Sequence, residues 1–171
     1  MHLSQIIQKM MRFKRWANGI TFETVMALPD GEALKARATR FGSMVHTLNH
    51  VYVVDDIFRA HMEGRDHGYA ARNTPTPPSL DALWAKQQSM DDWWVKCAEG
   101  LSEAALAEVI EFEFVGAKQG DAKGAMSRTD IFMHIVNHGN YHRGFVGDML
   151  YQAGVTPPAT DLPVFLRETG A

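Results

Sequence analysis

Between Asp130 and Gly144 the chain reads Asp-Ile-Phe-Met-His-Ile-Val-Asn-His-Gly-Asn-Tyr-His-Arg-Gly, so that three of its eight histidines, His134, His138 and His142, recur every four residues. That spacing brings side chains together on a helix, where residues four apart share a face at roughly 6 Å, close enough for two imidazoles to hold one metal ion. His134 and His142 are two turns apart, roughly 12 Å along the axis, so they cannot share an ion and at most one neighbouring pair can chelate. Ile131, Ile135, His138, His142, Phe145 and Met149 follow the alternating three- and four-residue step of a core-facing seam. His134 lies about 80° round the axis from His142, at the edge of that arc. The pair favoured as ligands is therefore His138 and His142, with His134 either behind them or facing solvent.

Two imidazoles on an apolar face need an explanation, because burying each without a partner costs about 1–3 kcal/mol. Either hydrogen-bond acceptors or a metal must meet them, and two ligands alone make a poor metal site. A second helical pattern, Phe41 to Phe58, supplies the third candidate. His50 flanks the apolar arc of Met44, Val51, Val54, Ile57 and Phe58, whereas His46 lies about 40° further out. Asp55 is about 140° round from His50, which disfavours a shared ion and leaves it a hydrogen-bonding or helix-surface role. His2, His61 and His67 occupy terminal or polar stretches and are expected to be solvated.

Several strings together resemble the DinB (damage-inducible) family. They are Arg15-Trp16-Ala17-Asn18, Leu48-Asn49-His50 with Asp55 five positions on, the His134 to Gly144 string, and the tail Ala153-Gly154-Val155-Thr156-Pro157-Pro158 followed by Asp161-Leu162. The resemblance runs from residue 5 to about residue 168. It implies an all-α four-helix bundle, commonly a homodimer, with three histidines on two helices holding a divalent metal. By motif those ligands are His50, His138 and His142, the set that helix geometry also favours. Phe145 departs from the pattern, since relatives often carry glutamine there. Among the activities the family includes are thiol-dependent transferases, and a shared fold does not fix the reaction.

The remaining numbers narrow the class. A chain of 171 residues, 46% of them hydrophobic, can bury one substantial core, and we expect a single domain over residues 1–171. A net charge of −3 and a pI near 6.2 disfavour a nucleic-acid surface, which usually has a pI above about 9. No apolar run approaches the length of a membrane span and the first residues lack a signal-peptide core, so the chain is expected to be cytoplasmic with no membrane partner. Cys97, the one cysteine, sits in Trp93-Trp94-Val-Lys-Cys97 and is read as a small buried hydrophobe rather than a nucleophile.

Four helical segments are expected. The first runs from about Ser4 to Ala27, the second from about Ala33 to Glu63, the third from an N-cap at Ser79 to Gly100, and the fourth from Ser127, with Asp130 completing a capping box, to Gly154. Residues 64–78 form a polar, proline-rich loop. Val109 to Val115 alternates apolar and acidic residues, which suggests a strand, with Gly116 to Gly124 as the turn of a small hairpin; an irregular loop is the competing reading. Gly139, Gly144 and Gly147 weaken the fourth helix by up to ~1 kcal/mol each, and the expected compensation is close approach of another helix, possible across a dimer interface.

Three neutral imidazoles on a divalent ion leave coordination positions open to water or substrate. Zinc or nickel fits best, with iron or manganese open, because imidazole does not select one ion and the Glu-x-x-His pairs of di-iron bundles are missing. The expected function is a metal-dependent enzyme, a thiol-dependent S-transferase acting on small electrophiles, with a low-molecular-weight thiol as partner. The alternatives are a metal-dependent hydrolase and a non-catalytic stress-response module with a structural ion. Asp55, Asp56 and Tyr141 are candidate bases by proximity in sequence, and Arg143 either binds an anionic substrate or is structural.

Overall fold

Three of the long helices begin where a serine hydroxyl receives a free amide of the first turn. Ser43 accepts from the His46 N–H, Ser79 from Ala82, and Ser127 from Asp130, whose carboxylate accepts in return from the Ser127 N–H. The computed structural model describes residues 2–117 and 122–170. In chain order it holds α1 (Leu3–Met26), a 3₁₀ turn (Glu32–Leu34), α2 (Met44–Glu63), α3 (Leu80–Gly100), the short α4 (Glu103–Ala107), strands β1 (Val109–Glu113) and β2 (Lys123–Ser127), α5 (Arg128–Gln152) and α6 (Leu162–Thr169). The four long helices form the expected bundle: α1 and α2 each pack against both α3 and α5. No described helix is long and apolar enough to cross a membrane.

The second helix starts at Met44, some ten residues later than the sequence pattern suggested. Gly42 adopts φ +75°, a left-handed conformation that halts any helix arriving from the N-terminal side, and Ser43 then caps a new one. The segment freed from the helix brings Phe41 against His50, His142 and Phe145. The short α4 and α6 were not anticipated. Phe165 of α6 is buried with its ring 5.8 Å from Phe13 and 5.6 Å from Trp16, and so fastens the C-terminal segment to α1.

The hairpin is present, and β1 pairs antiparallel with β2 from Val109 opposite Ser127 to Glu113 opposite Lys123. Phe112 points inward onto Phe58 while Glu111 and Glu113 face solvent, as period-two alternation requires. Phe112 lies opposite Gly124, where a Cβ would meet the Phe112 and Phe114 rings at 2.8 Å, so a residue without one is needed. Of the proposed turn, residues 118–121 lie outside the described residues; 123 and 124 belong to β2.

Two apolar clusters fill the bundle. One gathers Ile7, Met11, Phe58, Trp94, Ile131, Phe132 and Ile135, and the other Phe22, Met44, Leu48, Leu83, Val146 and Met149. Each long helix also buries polar side chains: Lys14 and Asn18 on α1, Asp55 on α2, Gln87 and Asp91 on α3, and His142 and Arg143 on α5. Together they make up a buried polar layer in the bundle. Gly139 serves that layer, since a Cβ there would lie 3.1 Å from the Arg143 guanidinium and 4.0 Å from the Lys14 side chain. Gly147 instead meets Pro157, and Gly144 has no neighbour within 4 Å, so at none of the three does another helix press closer than ordinary contact, and the expected compensation is not seen.

Candidate metal centre

His50 sits two turns into α2, and His138 and His142 lie one turn apart on the facing side of α5. One ring nitrogen from each lies within 4.8 Å of the others, and the ring centroids are 5.0, 4.6 and 4.3 Å apart. The sequence-predicted trio is therefore brought together. His134 is set apart, its ring 4.7 Å from Phe58 and 5.6 Å from His138. His46 lies outside the group, and its carbonyl accepts from Asn73. His61 differs from the solvated role expected of it: its ring stacks on Phe112 at 4.9 Å, with His67 at 5.5 Å.

Orientation comes from outside the helices. The His50 Nδ1 lies 2.5 Å from the Arg72 carbonyl, which can only accept, so Nδ1 carries the proton and the Nε2 lone pair faces the cluster. That carbonyl is held in place by Asn49, whose amide donates to Asn73 and, at 2.7 Å, to Thr74. The loop over residues 64–78 is thereby tied to α2 beside the site. Tyr69 and Arg65 add a second tie through the Asp56 carboxylate, each at 2.9 Å.

The trio fits a divalent ion. Two imidazole nitrogens on one tetrahedral ion lie about 3.3 Å apart at the usual bond length, and the Nε2 atoms of His50 and His138 are separated by 3.1 Å. The Nδ1 atoms of His138 and His142 are buried with no hydrogen-bond partner among the described residues. Burial, and then the neighbouring imidazoles, push the His138 pKa down to about 2; burial followed by His50 pushes that of His142 to about 4. His50 is also lowered, by burial foremost. All three rings are accordingly neutral at pH 7 and offer lone pairs without first losing a proton.

Aromatic side chains surround the trio. Phe41 stacks over His50 at 5.2 Å and presents its edge to His142 at 4.7 Å and to Phe145 at 5.5 Å. Tyr141, largely exposed, stands 5.0 Å from the His142 ring. It is the one candidate base beside the histidines, because Asp56 is engaged by Arg65 and Tyr69 while Asp55 belongs to the buried layer. There Lys14 Nζ donates to Asp55 Oδ2 and Asp91 Oδ1, both at 2.6 Å, and Gln87 and Asn18 donate to the same carboxylates. Asp55 is fully buried, which excludes the helix-surface role and supports the hydrogen-bonding one.

Arg143 points away from the histidines, donating to Asn18 at 2.8 Å and to Asn140, with its pKa pushed down to about 10 by burial. Its placement supports the structural reading. It also lines a cavity of about 750 Å³ between α1, α5 and residues 157–162, with no histidine in its wall. Burial raises the Cys97 thiol to about 11, so Cys97 is no ready nucleophile. Sequence reasoning missed Phe41, the Arg72 carbonyl and the partnership of Lys14 with Asp91. The hydrogen-bonding role read for Asp55 pointed toward that network without its partners, and Asn18 and Asn49 entered only through the strings that carry the family resemblance.

The DinB family profile matches residues 2–170. The chain belongs to the DinB family. It is 28% identical over 173 residues to Protein DinB of Bacillus subtilis (strain 168), covering 98% of this chain and 97% of that one. Its fold resembles that of a DinB-like protein from Bacillus cereus ATCC 10987, with a TM-score of 0.61 at 18% identity, over 84% of this chain and 89% of the other. DinB membership and the likeness in fold agree with the bundle that the sequence strings implied.

Proposed function

We propose that His50, His138 and His142 hold one divalent ion, zinc or nickel by preference, and that the protein is a metal-dependent enzyme, a thiol-dependent S-transferase acting on small electrophiles. The observation that carries this reading is the convergence of three neutral, buried or half-buried imidazoles on one point, with no carboxylate in the group. When bound, such an ion supplies a Lewis acid that lowers the pKa of a coordinated thiol or water.

The chain's own residues account for the rest. The Arg72 carbonyl fixes the tautomer of His50, so that its Nε2 is always the free donor. Phe41 excludes water from the His50 face and strengthens every electrostatic interaction beneath it. The exposed Tyr141 hydroxyl is placed to hydrogen-bond a substrate arriving next to His142.

A structural ion is the second reading, and the stacking of Phe41 directly on His50 is the observation that favours it. Metal content by inductively coupled plasma mass spectrometry tests both. Wild type is expected to hold close to one equivalent, and His50→Ala, His138→Ala and His142→Ala to hold none. A wild type that stays metal-free after reconstitution refutes the site. A thiol-transfer screen then separates the two readings: an enzyme loses turnover in folded ligand variants, whereas a structural ion leaves no turnover to lose and its removal by chelator lowers the melting temperature sharply. Family resemblance also implies a homodimer, which sedimentation equilibrium tests.

A further inference from the structure

Charge and shape at the mouth of the histidine cluster narrow what it can admit. Three imidazoles contribute no negative charge, so a divalent ion on them keeps its full charge of two and calls for an anion in its open position. Two arginines add to that field. Arg72, whose own carbonyl touches His50, and Arg40, next to the stacked Phe41, are both exposed, and neither forms an ion pair among the described residues. Arg40 lies in the segment before α2 and Arg72 in the loop after it, one on each side of the helix that carries His50.

The walls between those cations are aromatic. Phe41 and Phe145 meet edge to face at 5.5 Å, and Tyr141 meets Phe145 at 5.1 Å, all three against His142. Two exposed, unpaired arginines in the segments that touch His50, together with three aromatic rings against His142, match a ligand that is anionic at one end and flat or apolar in its body.

We propose that Arg40 and Arg72, together with Phe41 and Phe145, determine specificity at this site and select a carboxylate-bearing ligand with an aromatic or branched apolar body. This deepens the metal reading and rests on it. The test uses full-length protein loaded with cobalt(II), titrated with thiols that share a mercaptoethyl frame and differ elsewhere: 2-benzyl-3-mercaptopropanoate, 3-mercaptopropionate and cysteamine. The thiolate-to-cobalt charge-transfer band reports binding directly, without turnover.

In wild type, affinity is expected to fall in that order. The exposed pair Arg40→Gln/Arg72→Gln should shrink the preference for 3-mercaptopropionate over cysteamine by about fivefold, the scale of two solvent-exposed charge contacts. Phe41→Ala should shrink the preference for the phenyl-bearing thiol over 3-mercaptopropionate by about fivefold, while leaving the charge preference in place. Variants that bind cobalt stoichiometrically yet keep both wild-type ratios overturn the proposal and leave the metal site standing. A wild type that takes up no cobalt, or shows no charge-transfer band with any thiol, overturns the metal reading or the open position, and this proposal with it.

Discussion

Replacing Lys14 by methionine keeps the side chain's length and removes the one cation bonded to both carboxylates of the buried layer. Lys14, Asp55 and Asp91 are each at most 2% exposed, and both ion-pair distances are 2.6 Å. Burial acts to lower the Lys14 pKa, but Asp55 and Asp91 outweigh it and hold the ammonium charged. Without it, two carboxylates face each other with only the Asn18 and Gln87 amides as donors. Stranding a buried charge in this way costs about 3–5 kcal/mol, a large share of the roughly 5–15 kcal/mol that holds a typical domain together. For a chain of this size the melting temperature should fall by about 6–20 °C.

The sign of the pH dependence follows from Asp55. Burial first, and Asp91 as well, already raise its pKa above the usual carboxylate value, and loss of Lys14 raises it further. Between the unfolded pKa near 4 and the higher folded one, the folded variant binds a proton that the unfolded chain has released. Its stability therefore rises as pH falls through that window, so the deficit against wild type should be smaller at pH 5 than at pH 8. Calorimetric melts at both values provide the assay, with Lys14→Met/Asp55→Asn expected to recover part of the loss. A deficit below about 1 kcal/mol at pH 8, or one that does not shrink on acidification, refutes the view that this layer is a charged, solvent-free network.

Three further outcomes are expected. Because burial lowers the pKa of all three clustered histidines, zinc affinity measured by competition with a chromophoric chelator should stay nearly flat from pH 8 to pH 6; an affinity that falls about tenfold over that range would contradict ligands that are already neutral. The same lowered values favour protons on the unfolded chain, so metal-free protein should lose stability as pH drops from about 6.5 towards 4, measured by urea denaturation. Asn49→Ala removes the amide that ties Asn73 and Thr74 to α2, and should cost about 1 kcal/mol and speed hydrogen exchange within residues 64–78, read by mass spectrometry.

Much of the bundle was legible because its cues are local. Ser79 and the Ser127–Asp130 box mark helix starts through bonds to their own first turn. The alternation of Ile110, Glu111, Phe112 and Glu113 suggested a hairpin strand without excluding an irregular loop, and the strand is what formed. The false start of α2 has the same root, since nothing local in Ala33 to Arg40 forbids a helix, yet the chain turns extended at Lys35 and left-handed at Gly42 before Ser43 caps α2. The short α6 went unseen because it is held by Phe13 and Trp16, about 150 positions away in the chain.

Sequence by itself determined the repeat that places His138 and His142 on one helix face, the candidacy of His50, and the absence of carboxylates from that set, because each is a matter of spacing along a single helix. Tertiary structure alone decided what surrounds them. The Arg72 carbonyl on His50, the Phe41 ring above it, and the Lys14 ammonium shared by Asp55 and Asp91 are contacts between elements 9 to 77 residues apart, with the side-chain ones among them bridging 41 and 77 positions for Lys14. Spacing along one helix cannot encode such meetings: they depend on how four helices turn their polar positions toward a common layer, and burial then makes each unpaired charge too costly to leave alone.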